Sequence, residues 1–269
     1  MMRMAVAGAA GRMGRTLVRM ISETEDLTLG AALERKDSDF LGADAGEVAG
    51  VGALGIPIGR DVAAALPEFD VLVDFSVPEA TLHALHACRE GAKKIVIGTT
   101  GFDATGQSLI DAAAADIAIL QAPNMSIGVN VCFRLIEIAA RALGDDVDVE
   151  VLEVHHRDKI DAPSGTALRM GEILADALNR DLAKDAIYGR EGAIGPRDRR
   201  TIGFATLRGG DIVGEHTVMY AGAGERIEIT HRAQSRDNFA QGALRAARFL
   251  KTQQSGLYNM QDVLGPLPG

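Results

Sequence analysis

Met4-Ala5-Val6-Ala7-Gly8-Ala9-Ala10-Gly11-Arg12-Met13-Gly14 runs from a short apolar segment into a glycine-spaced turn and on into a helical pattern. The helical spacing continues through Met13, Leu17, Val18 and Ile21, the i, i+4, i+5, i+8 signature of one buried stripe. A glycine turn between strand and helix lets the backbone bend tightly. It also leaves N–H groups at the helix start facing a pyrophosphate. The spacing is G-x-x-G-x-x-G, with Ala9 where the strict dinucleotide fingerprint has its first glycine. A second apolar run, 27–33, follows the helix and ends at Glu34, twenty residues after Gly14. That is where a carboxylate meets a ribose in dinucleotide-binding folds. The candidates in the turn are therefore Gly8, Ala9, Ala10, Gly11, Arg12 and Met13, with Glu34 beyond it.

Outward from this turn, strand and helix signals keep alternating. Residues 37–59 are rich in Gly and Asp and read as irregular, and 62–66 as a short helix. Val71-Leu72-Val73-Asp74-Phe75 is almost wholly apolar, as in a strand buried on both faces. A helix with proline in its first turn is predicted over 78–90, a strand over 95–97, a helix over 103–115 and a strand over 117–121. This alternation means βαβ units and a mostly parallel sheet. The pattern changes after Pro123. Helices are predicted over 129–142 and 167–182, with a strand over 147–154 between them. Three strand-like runs, 201–208, 212–220 and 226–231, then follow with no helix between them, which favours an antiparallel sheet. Residues 237–252 are helical again and are expected to return to the first part. The expected fold is α/β, a Rossmann-type dinucleotide-binding domain over 1–123 plus 235–269. An α+β domain with a mainly antiparallel sheet is expected over 124–234.

Composition narrows the function classes. The chain has 269 residues, 47% hydrophobic, no Trp and a formal charge of −9, which is against a nucleic-acid reader with stacking aromatics and a basic surface. No apolar run reaches membrane-spanning length. Cys88 and Cys132 are the two cysteines; they lie far apart, without metal-ligand spacing, and read as buried inert thiols. Neither a metal nor a membrane is expected, and the protein is expected in the cytoplasm.

The chemistry concentrates in Glu153-Val154-His155-His156-Arg157-Asp158-Lys159-Ile160-Asp161-Ala162-Pro163-Ser164-Gly165-Thr166-Ala167. Two histidines and a lysine stand just ahead of a proline-led helix start. There Ser164 can cap, and the glycine lets an anion approach the backbone. The bland alternative is a solvated loop with a good N-cap. The density of proton-carrying and cationic groups favours a site. Two further loops, Gly98-Thr99-Thr100-Gly101 and Ala122-Pro123-Asn124-Met125, follow strand ends, where open α/β sheets bind ligands. Glu34 suits NADH through the ribose hydroxyls, while Arg35 and Lys36 suit the 2′-phosphate of NADPH, so either or both cofactors fit.

Taken together, G-A-A-G-R-M-G, G-T-T-G-F, A-P-N-M-S-I-G-V-N, H-H-x-x-K-x-D-A-P-S-G-T-A and T-I-G-F-A-T-L-R-G-G-D-I-V-G-E-H resemble the dihydrodipicolinate reductase family over nearly the whole chain. Met125 stands where members often carry an aromatic residue. The resemblance implies NAD(P)H-dependent reduction of a cyclic dicarboxylate, 4-hydroxy-tetrahydrodipicolinate, to tetrahydrodipicolinate on the diaminopimelate route to lysine. It implies His155 as acid/base residue and Lys159 as proton donor. His156, Gly165 and Thr166 would hold substrate carboxylates, and the turn with Glu34, Arg35, Gly98, Thr99, Thr100, Ala122, Pro123, Asn124 and Met125 would hold the cofactor. It also implies a homotetramer joined through the sheet of the second domain. Two other readings stay open on the residues alone: a related dehydrogenase or imine reductase acting on another small acid, and a redox sensor that binds NAD(P)H without turnover. A sensor has no need of an acid/base pair.

Overall fold

The computed structural model describes residues 1–266. In its first 127 residues the apolar runs become parallel strands. These are β1 (Met2–Ala7), β2 (Leu27–Leu33), β3 (Ile58–Gly59), β4 (Val71–Asp74), β5 (Lys94–Ile97) and β6 (Ala118–Gln121). The connecting helices are α1 (Arg12–Ser22), α2 (Ala45–Ala49), α3 (Val62–Ala65), α4 (Pro78–Glu90) and α5 (Ala104–Ala113). The seven-stranded sheet has the order β12-β6-β5-β4-β1-β2-β3, in which β12 is Gly256–Tyr258, and its pairings are parallel. Period-two side-chain alternation divides each strand between two cores. Val71 and Val73 pack on one face with Leu17, Val18 and Ile21 of α1, while Leu72 packs on the other with Leu85 and Cys88 of α4 and Ile110 of α5. Burial on both faces is why these strands read as continuous apolar runs.

The chain divides into two compact units, Met1–Ile127 with the segment from Arg236 onward, and Gly128–Ser235. It leaves the first unit at Ile127, later than the expected boundary at 123. The cause is Met125, whose side chain is 1% exposed within the first unit's core. Its carbonyl lies so close to Gly242 that any side chain there would collide with it. Gly242 belongs to α9 (Asp237–Leu250), which lays Ala240, Ala243, Ala247 and Leu250 into the same core. Beyond it, β12 and α10 (Met260–Leu264) are short elements that the periodicity did not announce.

The second unit holds a five-stranded sheet against two helices, α6 (Ile127–Leu143) and α7 (Gly165–Ala177). Its strands are β7 (Asp148–His155), β8 (Ala186–Ile187), β9 (Ile202–Arg208), β10 (Gly214–Ala221) and β11 (Arg226–Ala233), with the short helix α8 (Leu182–Asp185) ahead of β8. In the order β11-β10-β7-β9-β8, the pairings β10–β11 and β10–β7 are antiparallel, whereas β7–β9 and β8–β9 are parallel. The expected mainly antiparallel sheet is thus mixed. The reason is connectivity: β9 follows β7 through α7, and a crossover through a helix returns the chain in the same direction. Only the later run β9, β10, β11 lacked a helix; β10 and β11 form a hairpin, and the other neighbour of β10 is β7 rather than β9. The helix expected over 167–182 starts at Gly165 and stops at Ala177, because Asn179 turns left-handed (φ 52°) and the Arg180 N–H closes back on the Ala175 carbonyl at 2.8 Å. Val129, Phe133, Ile136 and Ala140 of α6 meet Val149, Val151, Val218 and Tyr220 of the sheet. The Tyr220 hydroxyl donates to the Ile136 carbonyl at 2.7 Å.

Both cysteines are free and buried, and burial pushes the Cys88 thiol up to about 12. Among the described residues no helix is long and apolar enough to cross a membrane.

Candidate active site

The glycine turn has the shape that its spacing implied. Gly8 is left-handed (φ 66°) and its carbonyl accepts from the Gly11 N–H at 2.9 Å. Gly14 packs so closely on the Gly8 carbonyl and on Ala9 that a Cβ would collide with backbone. Gly11 is the N-cap of α1 and brings no capping side chain, so the start of α1 suits a pyrophosphate by its backbone donors and its dipole. Glu34 stands at the end of β2 with Oε1 accepting from the Ala10 N–H at 3.0 Å, which ties the carboxylate to the turn. Arg35 is largely exposed, 3.6 Å from Asp37. These residues fit a dinucleotide: close backbone for its phosphates and a fixed carboxylate for a ribose.

The two strand-end loops meet in one cleft lined by Thr99, Thr100, Gly101, Phe102, Gln107, Gln121, Ala122 and Pro123. Gly98 lets the chain pass the Phe75 ring, with which a side chain would clash. Thr99 is buried and accepts from the Thr81 hydroxyl at 2.9 Å. Asn124 caps the following turn, Oδ1 accepting from the Ser126 N–H at 2.9 Å. The Met125 side chain is committed to the core, which leaves its backbone for a ligand. Below this region, Asp74 at the end of β4 is fully buried. Its Oδ1 accepts from the Ser76 N–H at 2.7 Å, while Oδ2 has no partner among the described residues.

In the second unit the inward face of β7 reads Val149, Val151, Glu153, His155, so an apolar row turns ionisable at the strand's end. Glu153 is 1% exposed and saturated. Its Oε2 meets His155 Nδ1 at 2.5 Å and Arg208 Nη1 at 2.8 Å, while Oε1 accepts from Arg208 Nη2 at 2.8 Å and from the Ser164 N–H at 3.0 Å. Burial alone would raise the Glu153 carboxyl, but Arg208, His155 and the Ser164 N–H outweigh it and hold it below the usual range. For His155, burial dominates and lowers its basicity against the pull of Glu153. Near neutrality the pair is therefore carboxylate and neutral imidazole. An ionised carboxylate only accepts, so the ring's proton sits on Nδ1 and its lone pair on Nε2.

Lys159 follows in a turn in which its N–H reaches the His156 carbonyl, and its Nζ is 2.8 Å from both oxygens of Asp161. After the cis Ala162–Pro163 bond, Ser164 caps α7 through its Oγ, which accepts from the Ala167 N–H at 3.1 Å and lies 2.9 Å from His216 Nε2. Ser164 is thus a cap, as its position implied. A Cβ on Gly165 would meet nothing within 4 Å, so the space beside the helix start is open. His216 stacks edge-on against His155, centroids 5.0 Å apart, and burial followed by the neighbouring His155 pushes it down to about 3.

The structure thus brings His155, Lys159 and the α7 start together around one strand end and places His156 at the head of the turn. Sequence reading left Glu153, Arg208 and His216 without roles. The signal was there: Glu153 and His216 occupy inward positions of alternating strands, where a charged or polar group is rare without a partner.

Comparison with known proteins agrees over both units. Family models described as dihydrodipicolinate reductase, N-terminus and C-terminus, match residues 2–125 and 128–264. A protein of Alkalilimnicola ehrlichii named 4-hydroxy-tetrahydrodipicolinate reductase is 58% identical over 263 residues, 98% of either chain. A dipicolinate-bound dihydrodipicolinate reductase from Paenisporosarcina sp. TG-14 shares the fold at a TM-score of 0.76 and 22% identity, over 97% of this chain and 99% of that one. An amine dehydrogenase from Mycobacterium smegmatis shares it more loosely, with a TM-score of 0.60 at 12% identity over 96% and 95%. With each unit matched by its own model and so near a relative along its length, the chain belongs to the dihydrodipicolinate reductase family.

Proposed function

We infer that this chain carries its family's activity, the NAD(P)H-dependent reduction of 4-hydroxy-tetrahydrodipicolinate to tetrahydrodipicolinate in diaminopimelate and lysine biosynthesis. The reaction takes up one hydride and one proton and releases the hydroxyl as water. The observation that carries the assignment is the end of β7, where a neutral buried His155, Lys159 and an open, capped helix start come together.

Bound NAD(P)H supplies the hydride. It is held by the Gly8–Gly14 turn, with Glu34 and Arg35 at the ribose and with Gly98, Thr99, Thr100, Ala122, Pro123, Asn124 and the Met125 backbone lining its reactive end. NADH and NADPH both fit, through Glu34 and Arg35 respectively. Hydride addition to a conjugated imine leaves electron density that a proton must neutralise. His155, whose burial sets its basicity below the ordinary value, exchanges protons near neutrality, and Lys159 donates the proton. A cyclic dicarboxylate displaces Asp161 from the Lys159 ammonium and accepts from His156, Gly165 and Thr166 at the α7 start. The chain acts in the cytoplasm, where free thiols such as Cys88 and Cys132 persist. It assembles as a homotetramer through the sheet of the second unit, whose face away from α7 carries the exposed Leu207.

The test is steady-state turnover of Lys159→Ala with saturating NADPH and the dicarboxylate. Losing a positioned proton donor costs on the order of a hundredfold or more in kcat. NADPH affinity and melting temperature hold, because the cofactor turn belongs to the other unit. A near-normal kcat removes Lys159 from the chemistry.

A further inference from the structure

The carboxylate behind His155 has no assigned part in the reaction, yet both of its oxygens are held on two sides. Glu153 receives four hydrogen bonds, from His155, twice from Arg208 and from the Ser164 backbone, so neither of its oxygens can turn away. The imidazole is fixed from the far side as well: a Cβ on Gly214 of β10 would come within 2.9 Å of His155 Nε2, so only a glycine leaves the ring where it is. Arg208 is itself anchored, Nη2 donating to the Asp161 carbonyl at 2.6 Å. The β7–β9 register sets Arg208 directly opposite His155, and the β7–β10 register sets Glu153 opposite His216.

We propose that Glu153 and Arg208 form a positioning pair for His155: Glu153 decides which ring nitrogen carries the proton and how tightly, and Arg208 offsets the charge with which it does so. The proposal rests on His155 being the acid/base residue of the reductase reaction. The charged and titratable groups facing the ring are Glu153 from its own strand, Lys159 from the turn, Arg208 from β9 and His216 from β10; His231 of β11 pairs with His216 one strand further out. Lys159 is balanced by Asp161, and His216 is neutral. The field at the ring is then set by the difference between Glu153 and Arg208. With both present, the anion orients the ring without making it a permanent cation. That suits a residue which must both take and give a proton near neutrality.

Each member of the pair has its own signature. In Glu153→Gln the anion is gone and Arg208 remains, so the His155 limb of the kcat/KM profile moves to lower pH. In Arg208→Gln the anion stands alone, so the limb moves to higher pH. Shifts of about one pH unit in opposite directions are expected. With them, kcat of Glu153→Gln falls about tenfold to a hundredfold, while NADPH affinity is unchanged. Damage to packing alone would lower activity in both variants without moving the limbs apart. The same three proteins, labelled with 15N-histidine, are titrated by NMR, with His155→Gln assigning the resonance. The wild-type ring is expected in the Nδ1–H form, with its titration displaced as in the kinetics. Limbs that move together or stay put, or a wild-type ring in the Nε2–H form, overturn the proposal. Should either variant fail to fold, the wild-type tautomer decides alone. Should the wild type not reduce the dicarboxylate, the assigned reaction fails, whereas the NMR titration still tests the pair.

Discussion

Asp74 and Glu153 both lie at or near a strand's end, one in each unit, at 0% and 1% exposure. Asp74 keeps one oxygen without a partner, and burial pushes its carboxyl up, tempered by Ser76 and by the nearby hydroxyls of Thr81 and Thr99. Glu153 is surrounded by donors, two of them on one guanidinium, and its carboxyl is held down despite the same burial. Burial alone therefore does not set the charge of a carboxylate; the number and kind of its donors do. The contrast extends to the two sites. The glycine turn of the first unit is shaped by backbone packed against backbone. The end of β7 in the second is shaped by side chains that hold one another in place.

The strongest way to break the contrast is Glu153→Leu, which leaves the Arg208 guanidinium and the Ser164 N–H facing an apolar group. Breaking one side of a buried, hydrogen-bonded pair costs about 3–5 kcal/mol, read from urea unfolding at pH 7. A loss below about 1 kcal/mol would mean that Arg208 finds another partner and that Glu153 is not structurally committed. Thr99→Val is expected to cost less, about 1–2 kcal/mol, since it leaves the buried Thr81 hydroxyl without its acceptor. It also removes one of the groups that temper Asp74.

Asp74→Asn is the smallest change and has the opposite sign, a gain of up to about 1 kcal/mol at pH 7, because a buried charge whose donors do not offset its burial is removed. Its pH dependence separates the two carboxylates. The folded pKa of Asp74 lies above its unfolded value. Its contribution to stability is full below the unfolded pKa and is lost as pH rises through the folded one, so the advantage of Asn vanishes in acid. Glu153 runs the other way: its contribution is full above the unfolded pKa and is lost as pH falls through the folded one. Unfolding curves of wild type and Asp74→Asn that stay parallel from pH 4 to 8 would remove Asp74 from this account.

The first unit was legible because its signals are local. Val71, Leu72 and Val73 announce a strand buried on two sides, and Gly8, Gly11 and Gly14 announce a turn whose geometry permits little else. The second unit was legible as elements but less so as topology, since nothing in strands 202–208 or 214–221 states which neighbour each will choose. His155, Lys159 and Ser164 were visible because they are crowded into one stretch. Arg208 and His216 were not, because their partners lie 55 and 52 residues away in sequence and only strand register joins them. The burial of the Met125 side chain was hidden for a related reason: a loop next to a ligand site and a plug in the core look alike until α9 is in place.

The first unit's core is assembled from both ends of the chain, with β12 pairing onto β6 and α9 covering one face of the sheet. A ribosome delivers those parts in the wrong order for that core. When β6 emerges, the apolar residues of β4, β5 and β6 that α9 will cover have no cover yet. The whole of 128–235 must be translated first, a delay on the order of ten seconds at ordinary elongation rates. The unit that begins first is thus the one that finishes last. The interrupting segment, contiguous in sequence, has every contact of its own core available sooner. During that interval the nascent chain carries an unfinished sheet whose apolar face has nothing to cover it.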